Sequence, residues 1–340
     1  AESVASAPGR VNLIGEHVDY EGGLVLPAAI DRHTVIAASA SSEPRVRVFS
    51  DFIDGMEEID LRTPLRRRDD HWTNYIAGII AQFHRLGVHV GGFDAAIVSN
   101  LPPGAGLSSS AALEVAFCLT VESLTGHELS SKKRAKIAQS AEHEFAGVPC
   151  GIMDQMAVTH AREDHAMLLD CQSHKIEHVA LPRDINLLIL DTKAKHALID
   201  GEYAKRREQC TMACDILNVA RLRNATPLMV EENRLPLGGD LYPRALHVTS
   251  EIKRVRQFME ALAQDDRVSM GWLLGQSHAS LRDNFEVSCR ELNKMQKLAA
   301  RTDGVIGARM TGGGFGGSVI ALCEDPDPAI ADSILRKYEE

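Results

Sequence analysis

The sequence predicts a mixed fold of helices and strands, divided into two domains. At 340 residues the chain is long enough for two hydrophobic cores. Residues 1–50 contain short segments rich in Val and Ile that Gly and Pro separate, which is typical of strands. The second half is mostly helical as far as Val305. We expect the boundary near residue 182, which gives domains 1–182 and 183–340.

The individual elements follow from local patterns. Strands are expected at 9–15, 24–30, 34–40 and 45–50. A helix is expected over about 71–86, a strand over 94–99, and an apolar, buried helix over 111–124 that Gly126 ends. Ser130 can cap a further helix that runs to about Phe145. Later strands are expected at 166–170, 187–191 and 318–323.

Composition excludes several classes of function. The net charge of −10 argues against nucleic acid as a partner, since non-specific binding needs clustered Lys and Arg. The seven cysteines are scattered and include no Cys-x-x-Cys, so neither a disulfide framework nor a zinc site is indicated. No leader or membrane-spanning apolar run is evident. We therefore expect a cytoplasmic protein without a membrane partner.

The segment LPPGAGLSSSAALE, residues 101–114, predicts a phosphate site. Backbone N–H groups at a helix N-terminus lack partners and face a positive dipole end, so anions bind there. Gly104 and Gly106 let the backbone approach a phosphate, and Ser108, Ser109 and Ser110 offer hydroxyls to phosphate or to a hard cation. No lysine follows the glycines, which excludes the Gly-x-x-x-x-Gly-Lys loop. Taken alone, the segment is equally consistent with a capped helix after a turn.

The segment APGRVNLIGEHVDYEGG, residues 7–23, predicts a site for a small polyol or sugar. A strand that ends at Gly15 brings Glu16, His17 and Asp19 to one turn, and such a group of polar side chains suits several hydroxyls. Arg10, in an apolar context, can pair with a carboxylate or a transferring phosphoryl group. The alternative is a polar β-turn with an incidental ion pair.

A glycine-rich segment near the end of the chain, residues 308–322, has two interpretations. Gly312, Gly314 and Gly317 match Gly-x-Gly-x-x-Gly, but a dinucleotide-binding turn should follow a strand and open a helix. Here a β-branched strand follows the glycines. We expect instead a glycine loop whose backbone packs against a ligand or against the serine-rich loop.

Two carboxylates lie in apolar surroundings. Asp154 falls in the first turn of a helix and needs an arginine or other donors to stay ionised, for which Arg10 is the candidate. Glu142 shares a helix face with Ala138 and Phe145, and an unpaired buried charge is costly. Glu142 therefore has a partner, or else its head reaches water at the periphery.

Taken together, these motifs resemble the galactokinase family of the GHMP small-molecule kinase superfamily. The serine-rich and terminal glycine motifs are common to the superfamily. Two stretches are specific to the galactokinase branch, namely residues 10–23 and the run SHASLRD (277–283) with FEVSC (285–289). The resemblance implies a two-domain α+β fold with an N-terminal mixed sheet, a C-terminal ferredoxin-like α/β sandwich and an active site between them. It also implies ATP-dependent phosphorylation of galactose at its anomeric hydroxyl.

The resemblance implies the following residue roles. Asp154 matches the catalytic base, and Arg10 matches its partner. Together with Asp154, the sugar-binding positions are Glu16, His17, Asp19, Tyr203 and the main chain near Gly151. ATP-binding positions are Trp72 near the adenine, then Pro103, Gly104, Ala105, Gly106, Leu107, Ser108, Ser109 and Ser110. The Mg²⁺ ligands are Glu142 and one serine, Ser109 or Ser110.

The sequence departs from the family pattern at Val18, Glu21 and Arg290, where the family usually has Thr, Asn and Pro. These changes leave the chemistry alone but bear on which sugar is bound. One alternative is therefore a kinase for N-acetylgalactosamine or a uronic acid. Another is a sensor that binds sugar and ATP without catalysis, against which the intact phosphate loop, Glu142 and Asp154 argue. A monomer or weak dimer is expected.

Overall fold

The computed structural model describes residues 1–69, 71–194, 199–324 and 328–339. They form two compact units that interleave along the sequence. Unit 1 consists of Ala1–Arg10, Ala29–Pro103 and Ser108–Ala161, and unit 2 of Val11–Ala28, Gly104–Leu107 and Arg162–Glu340. The predicted mixed fold of two domains is confirmed, whereas the boundary near residue 182 stays a prediction.

Unit 1 is built on a five-stranded mixed sheet, as predicted. Its strands lie in the order β1 (Ser3–Asn12), β3 (Pro27–Ala40), β6 (Phe93–Ser99), β4 (Arg45–Ser50) and β5 (Ile53–Asp60). Strand β4 runs parallel to β6, while β3 pairs with β6 and β5 with β4 in antiparallel register. Alternation places Val46 and Val48 in the core and leaves Phe49 half exposed, because successive side chains of a strand point to opposite faces.

Four helices complete unit 1: α1 (Thr73–Arg85), α2 (Ser109–Thr125), α3 (Ser131–Ala141) and α4 (Met153–His160). Gly126 ends α2 in the left-handed region at φ 69°, and the Ser130 side chain caps α3 by accepting from the Lys133 amide. Both features were predicted. The helix expected to run to about Phe145 does continue to that point, but its last part, Glu142–Ala146, is a π-helical turn, a feature frequent at functional sites.

Unit 2 contains two antiparallel sheets of three strands each. One has the order β2 (Leu24–Val25), β7 (His165–Asp170) and β8 (Lys175–Ala180), and the other β10 (Val305–Thr311), β11 (Ser318–Cys323) and β9 (Asn186–Asp191). The helices are α5 (Ile199–Leu217), α6 (Pro227–Glu232), α7 (Arg234–Ala263), α8 (Arg267–Asp283), α9 (Arg290–Ala299) and α10 (Pro328–Glu339). Helices α8 and α9 pack on β10.

Several strand predictions need correction. Strands β5, β8 and β10 were not predicted. The strand expected at 9–15 lies instead at Ser3–Asn12 and ends before Gly15. The segments expected at 24–30 and 34–40 form the two-residue β2 and the long β3. The middle of β10 is Gly-Ala-Arg, which hides its strand character, and Arg309 there is fully buried. None of the helices within the described ranges is long and apolar enough to cross a membrane.

Candidate active site

An arginine and an aspartate form the centre of the candidate site in unit 1. Arg10 lies near the end of β1 and Asp154 in the first turn of α4. The Arg10 guanidinium donates to both carboxylate oxygens, from Nε to Oδ1 at 2.9 Å and from Nη2 to Oδ2 at 2.8 Å. Arg10 is buried and Asp154 is 27% exposed, so one side of this charge-assisted pair remains open to a substrate. The predicted pairing of these residues is confirmed.

Ser108 adds a third donor to Asp154. Its hydroxyl lies 2.6 Å from Oδ2, and its backbone has the left-handed φ of 57° that is uncommon for a residue other than glycine. Within the described part of the chain, no side chain caps the N-terminus of α2, where Ser108 precedes the first turn. The unpartnered N–H groups of that turn and the helix dipole favour an anion there.

A cavity of about 280 Å³ brings four predicted ATP-binding residues together in unit 1. Trp72, Pro103, Ser109 and Ser110 all line it. The indole N–H of Trp72 is buried and has no hydrogen-bond partner within the described residues. The cavity wall is mainly apolar and opens beside the start of α2, an arrangement suited to a flat ligand that carries an anionic group.

Glu142 lies in a buried carboxylate cluster. Gln155 Nε2 donates to its Oε2 at 2.6 Å, and the Ser110 hydroxyl also hydrogen-bonds to this carboxylate. Burial and the nearby charge of Asp154 raise the pKa of Glu142 to about 7. Burial and the Glu142 charge also raise the pKa of Glu114 well above its ordinary value. Burial and mutual repulsion therefore disfavour the ionised forms of these carboxyls, and a bound cation would stabilise them.

Sequence reasoning missed Glu114, Gln155 and Cys150 as members of this cluster. The Cys150 thiol lies 3.4 Å from Glu142 Oε2, and one oxygen each of Glu114 and Gln155 lacks a partner among the described residues. The signal for Glu114 was available, since it is a carboxylate inside an otherwise apolar helix. Nowhere in the described ranges do three or more His, Cys, Asp or Glu side chains form a metal-binding group.

The predicted sugar-binding residues of the first motif lie in unit 2. Glu16 is buried, and its Oε1 accepts from the Gly312 amide at 2.7 Å and the Thr311 hydroxyl at 3.2 Å, with Arg309 at 3.5 Å. Its carboxylate is therefore bonded to the glycine-rich turn. Asp19 is half-buried.

His17 has the unusual φ of 58° and a defined tautomer. Its Nε2 lies 3.0 Å from the Gly313 carbonyl, which can only accept, so Nε2 carries the hydrogen. Nδ1 then accepts from the Tyr20 hydroxyl at 3.3 Å. Burial lowers the pKa of His17 to about 4, which keeps the ring neutral. The ring of the predicted sugar ligand Tyr203 packs 5.5 Å from it, and Gly151, in unit 1, precedes α4.

The glycine-rich turn packs on the serine-rich loop, as one of the two sequence interpretations predicted. A Cβ on Gly106 would lie 2.9 Å from the Thr311 carbonyl oxygen, and one on Gly312 would lie 2.9 Å from that of Gly106. Ser318 donates to the Ala105 carbonyl at 2.8 Å. Strand β11 follows the glycines, so the rejection of a dinucleotide-binding turn is also confirmed.

Comparison with known proteins places these features in a family. Residues 1–40 match the galactokinase galactose-binding signature, 74–162 the GHMP kinases N terminal domain and 258–340 the GHMP kinases C terminal domain. The chain is 42% identical to a galactokinase of Chloroflexus aurantiacus over 324 residues, covering 94% of this chain and 83% of that relative. The chain belongs to the galactokinase family.

Two further galactokinases, one compared by sequence and one by structure, are also similar to this chain. The Bos taurus galactokinase is 40% identical over 347 residues, covering 99% of this chain and 88% of its own length. The crystal structure of Lactococcus lactis galactokinase complexed with galactose superimposes with a TM-score of 0.94 at 32% identity, covering 99% of this chain and 90% of that one. The α+β GHMP kinase fold expected from the sequence is thereby confirmed.

Proposed function

We propose that this chain is a galactokinase that transfers the γ-phosphoryl group of ATP to the anomeric hydroxyl of galactose and releases galactose 1-phosphate. Its family membership supports the reaction class and the sugar. The single structural observation that carries the proposal is the Arg10–Asp154 pair with Ser108 beside the free N-terminus of α2. That arrangement sets a proton acceptor next to a place where phosphates bind.

Asp154 is the proposed base. Phosphoryl transfer asks a protein mainly for positioning and for neutralisation of charge. The carboxylate takes the proton of the anomeric hydroxyl as that oxygen attacks phosphorus and the bond to the leaving ADP oxygen breaks. The bidentate Arg10 contact orients the carboxylate, and Ser108 fixes the same oxygen that Arg10 Nη2 contacts. The guanidinium also offsets charge that develops on the phosphoryl oxygens.

The nucleotide is proposed to occupy the cavity lined by Trp72 and the start of α2. The apolar wall takes the adenine ring, and the Trp72 indole N–H is available as a donor. The phosphates then meet the free N–H groups at the start of α2. Ser109 lines the cavity.

Mg²⁺ is the proposed metal, and the residues present fit it. Glu142 and Ser110 supply hard oxygen ligands, which Mg²⁺ prefers, and their hydrogen bond favours Ser110 over Ser109. A site with few protein ligands suits Mg²⁺, since phosphates and water complete its coordination. When bound, the metal would neutralise phosphate charge. Glu142 must be deprotonated to bind it, and Gln155 orients its carboxylate by donating to Oε2.

Glu16, His17, Asp19 and Tyr203 are the proposed sugar ligands, with the main chain near Gly151. In this arrangement both ring nitrogens of His17 are bonded, so its part is to hold the turn and offer a ring edge. Glu16 is bonded to Gly312 and Thr311, and we propose that its remaining oxygen faces the sugar. A cytoplasmic location and a monomer or weak dimer stay predictions from the sequence.

A substrate panel with Mg·ATP and coupled ADP detection tests the proposal. We expect galactose to give the highest kcat/KM, above N-acetylgalactosamine, galacturonic acid and glucose. A higher value for the N-acetyl sugar or the uronic acid would reassign the substrate and point to Val18 and Glu21, where the sequence leaves the family pattern. No sugar-dependent ADP release, with galactose and ATP both bound, would show a sensor.

A further inference from the structure

A buried polar network in unit 2 contacts the backbone of the first motif. It is formed by His247 and Glu251 of α7 and by Ser277 and Ser280 of α8. All four side chains are buried, and two of them are ionisable groups that the proposed reaction does not use. The serines belong to the run at 277–283 that marks the galactokinase branch, for which the site described above gives no role.

Glu251 holds the backbone at Gly15. Its Oε1 accepts from the Gly15 amide at 3.0 Å and from the Ser277 hydroxyl at 2.6 Å, while Oε2 accepts from Arg254 Nε at 2.7 Å. Gly15 has φ of 101°, and a Cβ there would lie 2.7 Å from the Leu24 carbonyl oxygen. The carboxylate therefore fixes a bend that only glycine can make.

His247 holds the next residue through a directional chain of hydrogen bonds. Its Nε2 lies 3.1 Å from the Glu16 carbonyl oxygen, which can only accept, so Nε2 carries the hydrogen. Nδ1 must then accept, and the Ser280 hydroxyl donates to it at 2.9 Å. The Asn284 amide donates in turn to Ser280 Oγ at 3.2 Å. Burial lowers the pKa of His247 to about 3, in agreement with a neutral ring.

We infer that His247 and Glu251, oriented by Ser280 and Ser277, are positioning residues for galactose. They hold the backbone of residues 15–17 in the bend that presents the sugar ligands. This inference rests on the proposed function. The left-handed φ of His17, next to the bend, is costly for a residue other than glycine and persists only where surrounding contacts determine it. The network supplies such contacts from the backbone side, and the glycine-rich turn supplies them from the side of the Glu16 and His17 side chains.

The test compares galactose binding, ATP binding and folding in matched variants. His247→Leu removes both hydrogen bonds, whereas His247→Gln keeps an amide N–H that can reach the Glu16 carbonyl. Ser277→Ala removes one donor to Glu251. Thr249→Val is the control, since Thr249 is buried on the same helix and, among the residues the structure describes, its hydroxyl bonds only to carbonyls of that helix. Galactose Kd by calorimetry, KM for each substrate, kcat and Tm are measured for the full chain.

We expect His247→Leu to raise the galactose Kd and KM about tenfold, the effect of losing the buried hydrogen bond that holds the Glu16 carbonyl, with the KM for ATP unchanged. His247→Gln restores most of the affinity, Ser277→Ala weakens it about threefold to tenfold, and Thr249→Val leaves it as it was. If His247→Leu does not fold, Ser277→Ala and His247→Gln carry the comparison.

Two results would overturn the inference. A lower Tm with unchanged galactose Kd in both His247→Leu and Ser277→Ala would show that the network only stabilises the fold. Equal losses of galactose and ATP affinity would show a general disturbance. Failure of the proposed function gives a different result, because the unsubstituted chain itself would then not bind galactose. That result would also refute the inference.

Discussion

Asp154→Asn is the substitution that tests the proposed chemistry most directly. The amide has nearly the shape of the carboxylate but cannot take a proton from the sugar. Loss of a general base costs about 10²–10⁴ in rate, so kcat should fall by at least a hundredfold. Binding of ATP should be largely spared, because the cavity lined by Trp72 and the N-terminus of α2 are untouched.

The effect of this substitution on stability also follows from the structure. Asn keeps one oxygen for Arg10 and loses the other, and a hydrogen bond between charged groups contributes about 1.5–3 kcal/mol. Asp154 is 27% exposed, so water replaces part of the lost contact and the cost should be about 1–2 kcal/mol. The contact of the buried Arg10 with residue 154 is then weaker. We expect a fall in Tm of a few degrees, too small to account for the lost turnover.

Glu122→Gln is the matched control. Arg134 contacts both oxygens of Glu122, at 2.6 and 2.9 Å, in the same unit but outside the candidate site. This control should lower Tm by a similar amount and leave kcat unchanged. Coupled ADP release, thermal unfolding and ATP titration measure the three quantities. Asp154→Asn that keeps more than about a tenth of the original turnover would refute the assignment of the base.

Three further predictions concern the cluster, the loop and the nucleotide cavity. The pKa of Glu142 is about 7 in the folded state and ordinary in the unfolded state, so the folded state binds more protons between these two values. The free energy of unfolding, relative to that of Glu142→Gln, should therefore fall by roughly 3 kcal/mol from pH 4.5 to 7 and stay level above pH 7. Unfolding free energies of the two proteins that run parallel across this pH range would contradict the prediction. Gly106→Ala should be about 1–3 kcal/mol more destabilising than Gly87→Ala, since both have a positive φ but only the first Cβ meets a backbone oxygen; equal unfolding midpoints would contradict the close packing. In a Trp272→Phe background, Trp72 is the remaining tryptophan, and ATP should change its fluorescence while galactose alone should not; an unchanged spectrum at saturating ATP would place the nucleotide elsewhere.

Part of the site could be predicted from the sequence, because the charge or size of certain residues restricts which residues can pack against them. Asp154 in apolar surroundings required a cation or other donors, and Arg10 was the candidate cation, so charge predicted a pairing across 144 positions that the structure then showed. The packing of the glycine-rich turn against Gly106 was likewise foreseeable, since residues without a Cβ allow close approach of backbones. Helix ends at Gly126 and Ser130 followed from local capping rules.

Other features depend on tertiary packing that no local pattern encodes. Glu114 comes from α2, Glu142 from the π-helical turn after α3 and Gln155 from α4, and they meet only because these helices pack together. Their pKa shifts arise from that meeting. The network of His247 and Glu251 could not be predicted for the same reason, since in the sequence each is an isolated polar residue of a long helix. Strand β10 was missed because its fully buried arginine breaks the apolar pattern.

The three consecutive serines explain how a short loop can serve several parts of one reaction. Successive residues at the start of a helix point about 100° apart, so neighbouring hydroxyls cannot share one partner. Ser108, still outside the helix and left-handed, bonds to Asp154, while Ser109 lines the cavity and Ser110 reaches Glu142. In the proposed function these contacts bind the base, the nucleotide and the metal ligand to one helix terminus. A shift of that terminus would therefore disturb the base, the nucleotide cavity and the metal ligand together.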